Sequence, residues 1–264
     1  MASRISKKFE EIKKRNKKAL IGYLTCGYPD LEETYELVME GEKAGIDIME
    51  LGIPYSDPVA DGPVIQIASE KALEKGVNID GIFAMVKRLR EKTQIPLVIM
   101  TYYNSVFRYG DEKFISACCE SGIDGLIVPD LPYEERDILL GLTQTSGVDL
   151  IPLVAPTSED RIEKIVSDAT GFVYCISSKG VTGKRSELSG GLEDFMESVR
   201  KHTDVPLAIG FGISGPDAVK DVKDICDGVI VGSAIIEKIG EGIEAGDAKA
   251  RVIPFIKELS AALE

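Results

Sequence analysis

The chain has a single histidine, His202, and its 31 lysines and arginines are outnumbered by 44 acidic residues, for a formal net charge of −13. That balance argues against nucleic acid or an anionic membrane as the main partner. No apolar run approaches the ~18 residues of a membrane-spanning helix, and the N-terminus carries no apolar signal region. The five cysteines (Cys26, Cys118, Cys119, Cys175 and Cys226) form no CxxC pair and no zinc spacing. Their odd number and scatter fit reduced, mostly buried thiols in a cytoplasm. A Walker A loop is missing, which argues against a nucleotide triphosphate. TCGYPD (25–30) does not supply a GxGxxG turn. No Ser–His–Asp, Cys–His or strand-end lysine pattern is present, and no His/Asp/Glu cluster has metal spacing. No stretch is rich enough in Pro, Gly or Ser to divide the chain, so residues 1–264 read as one domain.

One segment departs from the acidic average. Arg4, Lys7, Lys8, Lys13, Lys14, Arg15, Lys17 and Lys18 surround Ile5, Phe9 and Ile12, which share one helical face. The pattern is that of a docking helix over residues 1–18 with a solvated outer face. Glu10 and Glu11 within it argue against a transit peptide.

Short apolar runs recur near 19–25, 46–52, 96–101, 124–128, 149–153, 171–176, 206–210 and 227–231. Most lack polar alternation, as expected of parallel strands buried on both faces. The segments between them have helical period. GIDIMEL (45–51), GIDGLIV (122–128) and GVDLIPL (147–153) each place a Gly where a left-handed helix cap would sit, and CDGVIVG (226–232) echoes the pattern. About eight strands, each followed by a helix, in one domain of this length predict an α/β fold: a single-domain (β/α)8 TIM barrel with an extra N-terminal helix. The alternative, a doubly wound open sheet, needs the Gly-rich first turn that is missing.

In such a barrel the reactive face lies at the C-terminal ends of the strands. That rule places Tyr23, Thr25, Glu50, Tyr102, Asn104, Asp130, Tyr174 and Ser177 at or just beyond strand ends, and His202 at the opposite face. IMELGIPYSDPVADGPVIQ (48–66) carries two acids, eleven residues apart. Glu50 is flanked by Ile48, Met49, Leu51 and Ile53, and burial there raises a carboxyl pKa. Asp61 precedes Gly62-Pro63 and an apolar run, which reads as a helix N-terminus, where the dipole favours the ionised form. Two carboxyls pushed apart in this way suit a general acid and an ionised stabiliser. Two bland alternatives stand beside that reading: a helix cap for Asp61 and a solvent-facing Glu50.

Gly210-Phe211-Gly212-Ile213-Ser214 follows the seventh run and Gly232-Ser233 the eighth, where this fold recurrently binds phosphate. SSKGVTG (177–183) adds a third glycine-bearing loop. Tyr23, Tyr102, Ile127, Tyr174 and Phe211 would line an apolar, aromatic mouth suited to a flat ring. Acid–base chemistry on a phosphorylated small molecule, without cofactor or metal, is what these residues support.

Residues 49–66, with MTYYN (100–104), GLIVPDLP (125–132), LVAPTS (153–158), GVTG (180–183), GFGIS (210–214) and VGSAII (231–236), closely resemble the tryptophan synthase α-subunit family. The likeness runs from about Tyr23 to Ile236. It implies a retro-aldol lyase that splits indole-3-glycerol phosphate into indole and glyceraldehyde 3-phosphate in tryptophan biosynthesis. Glu50 matches the family's acid–base and Asp61 the acid that stabilises charge at the indole nitrogen. Tyr174 matches a tyrosine near the substrate. Thr182, Gly183, Gly212, Gly232 and Ser233 match substrate- and phosphate-binding positions. The resemblance also implies mobile lids at 54–62 and 178–190. It implies an α2β2 complex in the cytoplasm with a β subunit that holds the pyridoxal phosphate. Tyr55, Ser56, Asp57, Pro58, Asn104, Asp130, Leu131 and Pro132 match the contact region. Tyr23 stands where the family often has Phe, and Ser178 where some members carry Arg. Competing readings are a stand-alone lyase releasing free indole, a non-catalytic phosphate-binding barrel regulating a partner, and another phosphate-binding isomerase or synthase.

Overall fold

Strands β1 (Ala19–Thr25), β2 (Ile48–Gly52), β3 (Leu97–Met100), β4 (Gly125–Ile127), β5 (Asp149–Leu150), β6 (Leu153–Val154), β7 (Val173–Ile176), β8 (Leu207–Gly210) and β9 (Gly228–Val231) form one sheet in the computed structural model of this chain. The structure describes residues 3–177, 185–210 and 212–264. Every strand pairing is parallel, and the order is β5-β4-β3-β2-β1-β9-β8-β7-β6. The two ends of that order are consecutive in the chain, separated only by Ile151-Pro152. Ile151 N–H donates to Leu126 O at 2.9 Å on one side, and Pro152 O accepts Tyr174 N–H at 2.9 Å on the other. The sheet therefore closes on itself as a barrel of eight staves, the fifth broken in two. The continuous fifth strand expected over 149–153 is corrected here, because Pro152 has no N–H to give a ladder.

Helices precede, connect and follow the strands: α1 (Arg4–Lys14), α2 (Leu31–Ala44), α3 (Pro63–Glu74), α4 (Ile79–Arg90), α5 (Tyr103–Tyr109), α6 (Asp111–Ser121), α7 (Asp137–Ser146), α8 (Ile162–Val166), α9 (Arg185–Arg200), α10 (Pro216–Val222), α11 (Ser233–Ala245) and α12 (Ala248–Ala262). The starts of α1, α2, α4 and α12 are capped by short polar side chains. Asp30 accepts Glu33 N–H at 2.8 Å and Asn78 accepts Gly81 N–H at 2.9 Å. The three Gly stops expected from sequence, Gly45, Gly122 and Gly147, all take the left-handed conformation. The strands at 46–52 and 171–176 start two residues later than expected, at Ile48 and Val173. Ile46 N–H is held by Gly41 O in the helix stop, and Gly171 is left-handed.

The strands separate two apolar regions. One lies between strands and helices. The other fills the barrel, with Ile21, Ile48, Val98, Ile127, Ile151, Phe172, Ala208 and Ile230 in contact. Ile5, Phe9 and Ile12 of α1 belong to this second region and close the barrel at the N-terminal end of the strands. Phe9 sits against Phe172 with ring centroids 6.0 Å apart. Arg4 and Arg90 both bind the buried Asp124 carboxylate, at 2.8 and 2.6 Å, and tie α1 to the barrel floor. The opposite end is left for the site.

Candidate active site

A cavity of about 250 Å³ opens at the C-terminal end of the strands. Its floor is Tyr23, Glu50, Met100, Tyr174 and Ile230, which point inward from β1, β2, β3, β7 and β9. One wall is Ala60, Asp61, Gly62 and Ile65, from the β2–α3 loop and the start of α3. The facing wall is Gly212, Ile213 and Ser214 after β8, with Gly232, Ser233, Ala234 and Glu237 at the start of α11.

Register sets the floor. Tyr23 stands opposite Glu50 in the β1–β2 pairing, and Glu50 opposite Val98 in β2–β3. Alternation then puts Ile48 and Glu50 on the barrel's inner face, Ile48 in the apolar layer and Glu50 one step above it. Both tyrosine rings need room beside them, and glycine supplies it. A Cβ on Gly52 would lie 2.2 Å from the Tyr23 hydroxyl, and one on Gly210 would lie 2.3 Å from that of Tyr174. The two glycines are therefore dictated by ring packing across neighbouring strands.

Glu50 is 1% exposed, and its Oε2 has no hydrogen-bond partner among the described residues. Burial pushes its carboxyl up to about 8, with a smaller push from the nearby Asp61 charge. At neutral pH it is mostly a neutral acid able to donate a proton. Asp61 is half-buried in the same cavity. Burial raises its pKa too, while the Tyr102 hydroxyl opposes the shift. This corrects the helix-dipole expectation. Gly62, not Asp61, is the N-cap of α3, and desolvation outweighs the helix field. The solvent-facing alternative for Glu50 and the capping alternative for Asp61 both fail on this geometry.

Of the other residues singled out from sequence, Tyr23, Tyr174, Gly212, Gly232 and Ser233 line the cavity. Tyr102 is buried behind the Asp61 wall, its hydroxyl accepting Ala60 N–H at 3.0 Å. Ile127 lies lower, fully buried in the apolar layer of the barrel, and does not reach the cavity. Thr182, Gly183 and Phe211 lie outside the described residues. His202 is exposed just after α9, on the approach to β8 and so at the far end of the barrel. Met100, Ile230 and Glu237 were not singled out. Inward parity with Val98 and Gly232 marks the first two; nothing in the chain marks Glu237.

Ser233 and Ala234 open α11 toward the cavity, so its unpaired N–H groups and positive dipole end face any bound anion. Gly212 has φ +75°, a left-handed turn that side chains resist. Among the described residues, no cluster of three or more His, Cys, Asp and Glu side chains is placed to hold a metal ion.

The expected contact region gathers on the same rim. Asn104 Nδ2 donates to the Tyr55 hydroxyl at 3.1 Å, and Asp130 Oδ1 accepts Tyr103 N–H at 2.8 Å. Ser56, Asp57, Asn104, Asp130 and Pro132 are exposed, and Tyr55, Pro58 and Leu131 are partly so. Exposed apolar Val59, Phe107 and Ile138 join them on the rim.

A closed barrel whose mouth sets a neutral buried acid beside a second carboxyl, across from a helix N-terminus, defines a (β/α)8 enzyme of acid–base chemistry on small anionic molecules. Residues 9–263 match the family described as tryptophan synthase alpha chain, and the chain belongs to that family. It is 59% identical over 259 residues to a tryptophan synthase alpha chain from Alkaliphilus metalliredigens, covering 98% of this chain and 97% of the relative. A crystal structure of tryptophan synthase subunit alpha from Legionella pneumophila superposes with a TM-score of 0.92 at 35% identity, covering 100% of this chain and 99% of the other. A chain of Mycobacterium tuberculosis tryptophan synthase gives 0.89 at 36% identity, covering 100% and 99%.

Proposed function

We propose that this cavity binds indole-3-glycerol phosphate and cleaves it to indole and glyceraldehyde 3-phosphate, as the alpha reaction of tryptophan synthase. The observation that carries the reading is Glu50, an acid held neutral at physiological pH beside Asp61 in one cavity. The indole ring lies between Tyr23 and Tyr174, and the phosphate at Gly212, Gly232 and Ser233 on the α11 N-terminus. Thr182, Gly183 and Phe211 complete the same rim in this reading. Glu50 donates its proton to indole C3, which places positive charge on the ring nitrogen. The Asp61 carboxylate stabilises that charge. The bond from C3 to the glycerol carbon then breaks, its electrons returning to the ring, while Glu50, now a carboxylate, takes the hydroxyl proton of the glycerol. One proton is lent and one recovered, so no cofactor or metal enters.

The β subunit of tryptophan synthase docks on the rim formed by Tyr55, Ser56, Asp57, Pro58, Asn104, Asp130, Leu131 and Pro132. Val59 and Phe107 supply apolar area between them. No helix among the described residues is long and apolar enough to cross a membrane. The four buried free thiols fit a reducing cytoplasm.

The test is indole release from indole-3-glycerol phosphate by the purified chain, with and without a cognate β subunit. Slow turnover that β accelerates supports the reading and makes the rim the coupling surface. Turnover that is fast and indifferent to β favours a stand-alone lyase. A Glu50→Gln chain that releases indole within a few-fold of wild type refutes the mechanism, because loss of a general acid–base costs ~10²-fold or more.

A further inference from the structure

Tyr102 grips both ends of the loop that carries Asp61. Near the loop's start, its ring stacks on Tyr55 with centroids 5.0 Å apart and planes at 26°. Near the loop's end, its hydroxyl accepts Ala60 N–H at 3.0 Å. Tyr102 is itself fixed. It is 4% exposed and caps α5, whose first residue is tethered through Tyr103 N–H to Asp130. The same hydroxyl lies beside the Asp61 carboxyl, and pairing with it favours the charged form. Tyr102 does not line the cavity, so it touches the acid and not a ligand.

We propose that Tyr102 is a positioning residue: it seats Asp61 in the cavity by clasping the β2–α3 loop at both ends. The ring sets where the loop lies, and the hydroxyl aims the Asp61 carboxylate. The proposal rests on the reading of Asp61 as the charged partner of Glu50. Among the described residues, the titratable groups facing Asp61 are Glu50 on β2, Tyr23 on β1, Tyr174 on β7 and Tyr102 itself; Glu237 of α11 lies across the cavity. Tyr102 alone among them pulls Asp61 toward its charged form.

The test uses the full chain and two readouts. The first is the 13C titration of the Asp61 carboxyl, assigned by its loss in Asp61→Asn. Tyr102→Phe keeps the ring against Tyr55 and deletes the hydroxyl, so the Asp61 midpoint moves to higher pH. A fluorinated tyrosine placed at position 102 is a stronger donor of the same shape, so the midpoint moves the other way; this arm stands even if Tyr102→Phe folds poorly. The second readout is steady-state indole release. Losing a hydrogen bond to a charged group predicts a kcat about 10- to 100-fold lower for Tyr102→Phe, with KM little changed. The acid limb of its profile moves to higher pH. A merely structural tyrosine would lower stability and leave the Asp61 titration in place. An unmoved Asp61 midpoint overturns the proposal, and so does a moved midpoint with unchanged kcat. If the wild-type chain releases no indole, the proposed function fails by itself, and the titration still decides whether Tyr102 seats Asp61.

Discussion

Replacing Glu50 by Gln should make the protein more stable at alkaline pH while removing its activity. Burial raises the Glu50 carboxyl from 4.5 to about 8. Between those values the folded chain holds a proton that the unfolded chain has released, so stability falls as pH rises. At 1.36 kcal/mol per unit, the ionisation costs the folded state about 5 kcal/mol once pH exceeds the folded value. That is a sizeable part of the ~5–15 kcal/mol by which domains are stable. Glutamine keeps the shape and has nothing to ionise. Urea unfolding of wild type and Glu50→Gln at matched ionic strength gives the difference directly. From about pH 5 to about pH 9, that difference should move by about 4 kcal/mol in favour of Gln, steepest around pH 6 to 7 at about 1.4 kcal/mol per unit. The other acids are common to both proteins and cancel, apart from Asp61, whose charge adds a smaller part of the Glu50 shift. A difference flat to within ~0.5 kcal/mol would mean that Glu50 is solvated or paired in solution, and the general-acid argument would fall with it. A pH-dependent gain accompanied by loss of indole release identifies one cause for both: a carboxyl kept out of water for its chemistry.

The remaining expectations concern the packing that frames the site. Gly210→Ala places a methyl 2.3 Å from the Tyr174 hydroxyl and 2.4 Å from its Cε1. The ring must swing into the cavity, so KM for indole-3-glycerol phosphate should rise and stability fall by about 1–3 kcal/mol. Gly141→Ala, where a Cβ meets nothing within 4 Å, is the control that should not destabilise. An unchanged KM in Gly210→Ala would show that Tyr174 does not border the bound substrate. Phe9→Ala opens the floor of the barrel, at a cost of about 3–5 kcal/mol in urea unfolding. Its kcat, measured where the chain remains folded, should match wild type, because α1 closes the end of the barrel away from the cavity.

The barrel was readable in the sequence because its signals are local. A glycine stop followed by a buried apolar run is a contiguous pattern, and Gly45, Gly122 and Gly147 each take the left-handed turn that the pattern demands. The basic start was readable for the same reason, since Ile5, Phe9 and Ile12 lie at helical spacing and are all buried. The errors arose where hydrophobicity says nothing about hydrogen bonds. Ile46 and Phe172 are as apolar as a strand requires, but the helix stop that holds Ile46 N–H and the left-handed turn at Gly171 delay both strands. Pro152 sits inside an apolar run and still divides it, because one missing N–H outranks propensity at that point.

The candidate site divides along the same line. Glu50 stood out because an acid among Ile48, Met49, Leu51 and Ile53 is anomalous within a short stretch of chain. Asp61 was visible as an acid beside a Gly-Pro helix start, but its environment was not. Whether its carboxyl caps α3 or turns into the barrel depends on Tyr102, 41 positions away, and on the depth of the cavity. Ile127 and Met100 show how little parity alone decides. They are paired in register and both face inward, but only Met100 reaches the cavity. The pairs Tyr23–Gly52 and Tyr174–Gly210 carry the argument furthest. In each, a ring on one strand occupies the space over a glycine on the next. Neither residue is unusual in its own segment. Only the parallel register, Thr25 beside Gly52 and Ile176 beside Gly210, brings ring and glycine together. The aromatic walls of the cavity are thus a property of strand pairing, and so is the dry setting they create around Glu50. The residue types and the upward direction of the Glu50 shift were legible in the chain; the walls that keep that carboxyl dry come from contacts that no stretch of sequence contains.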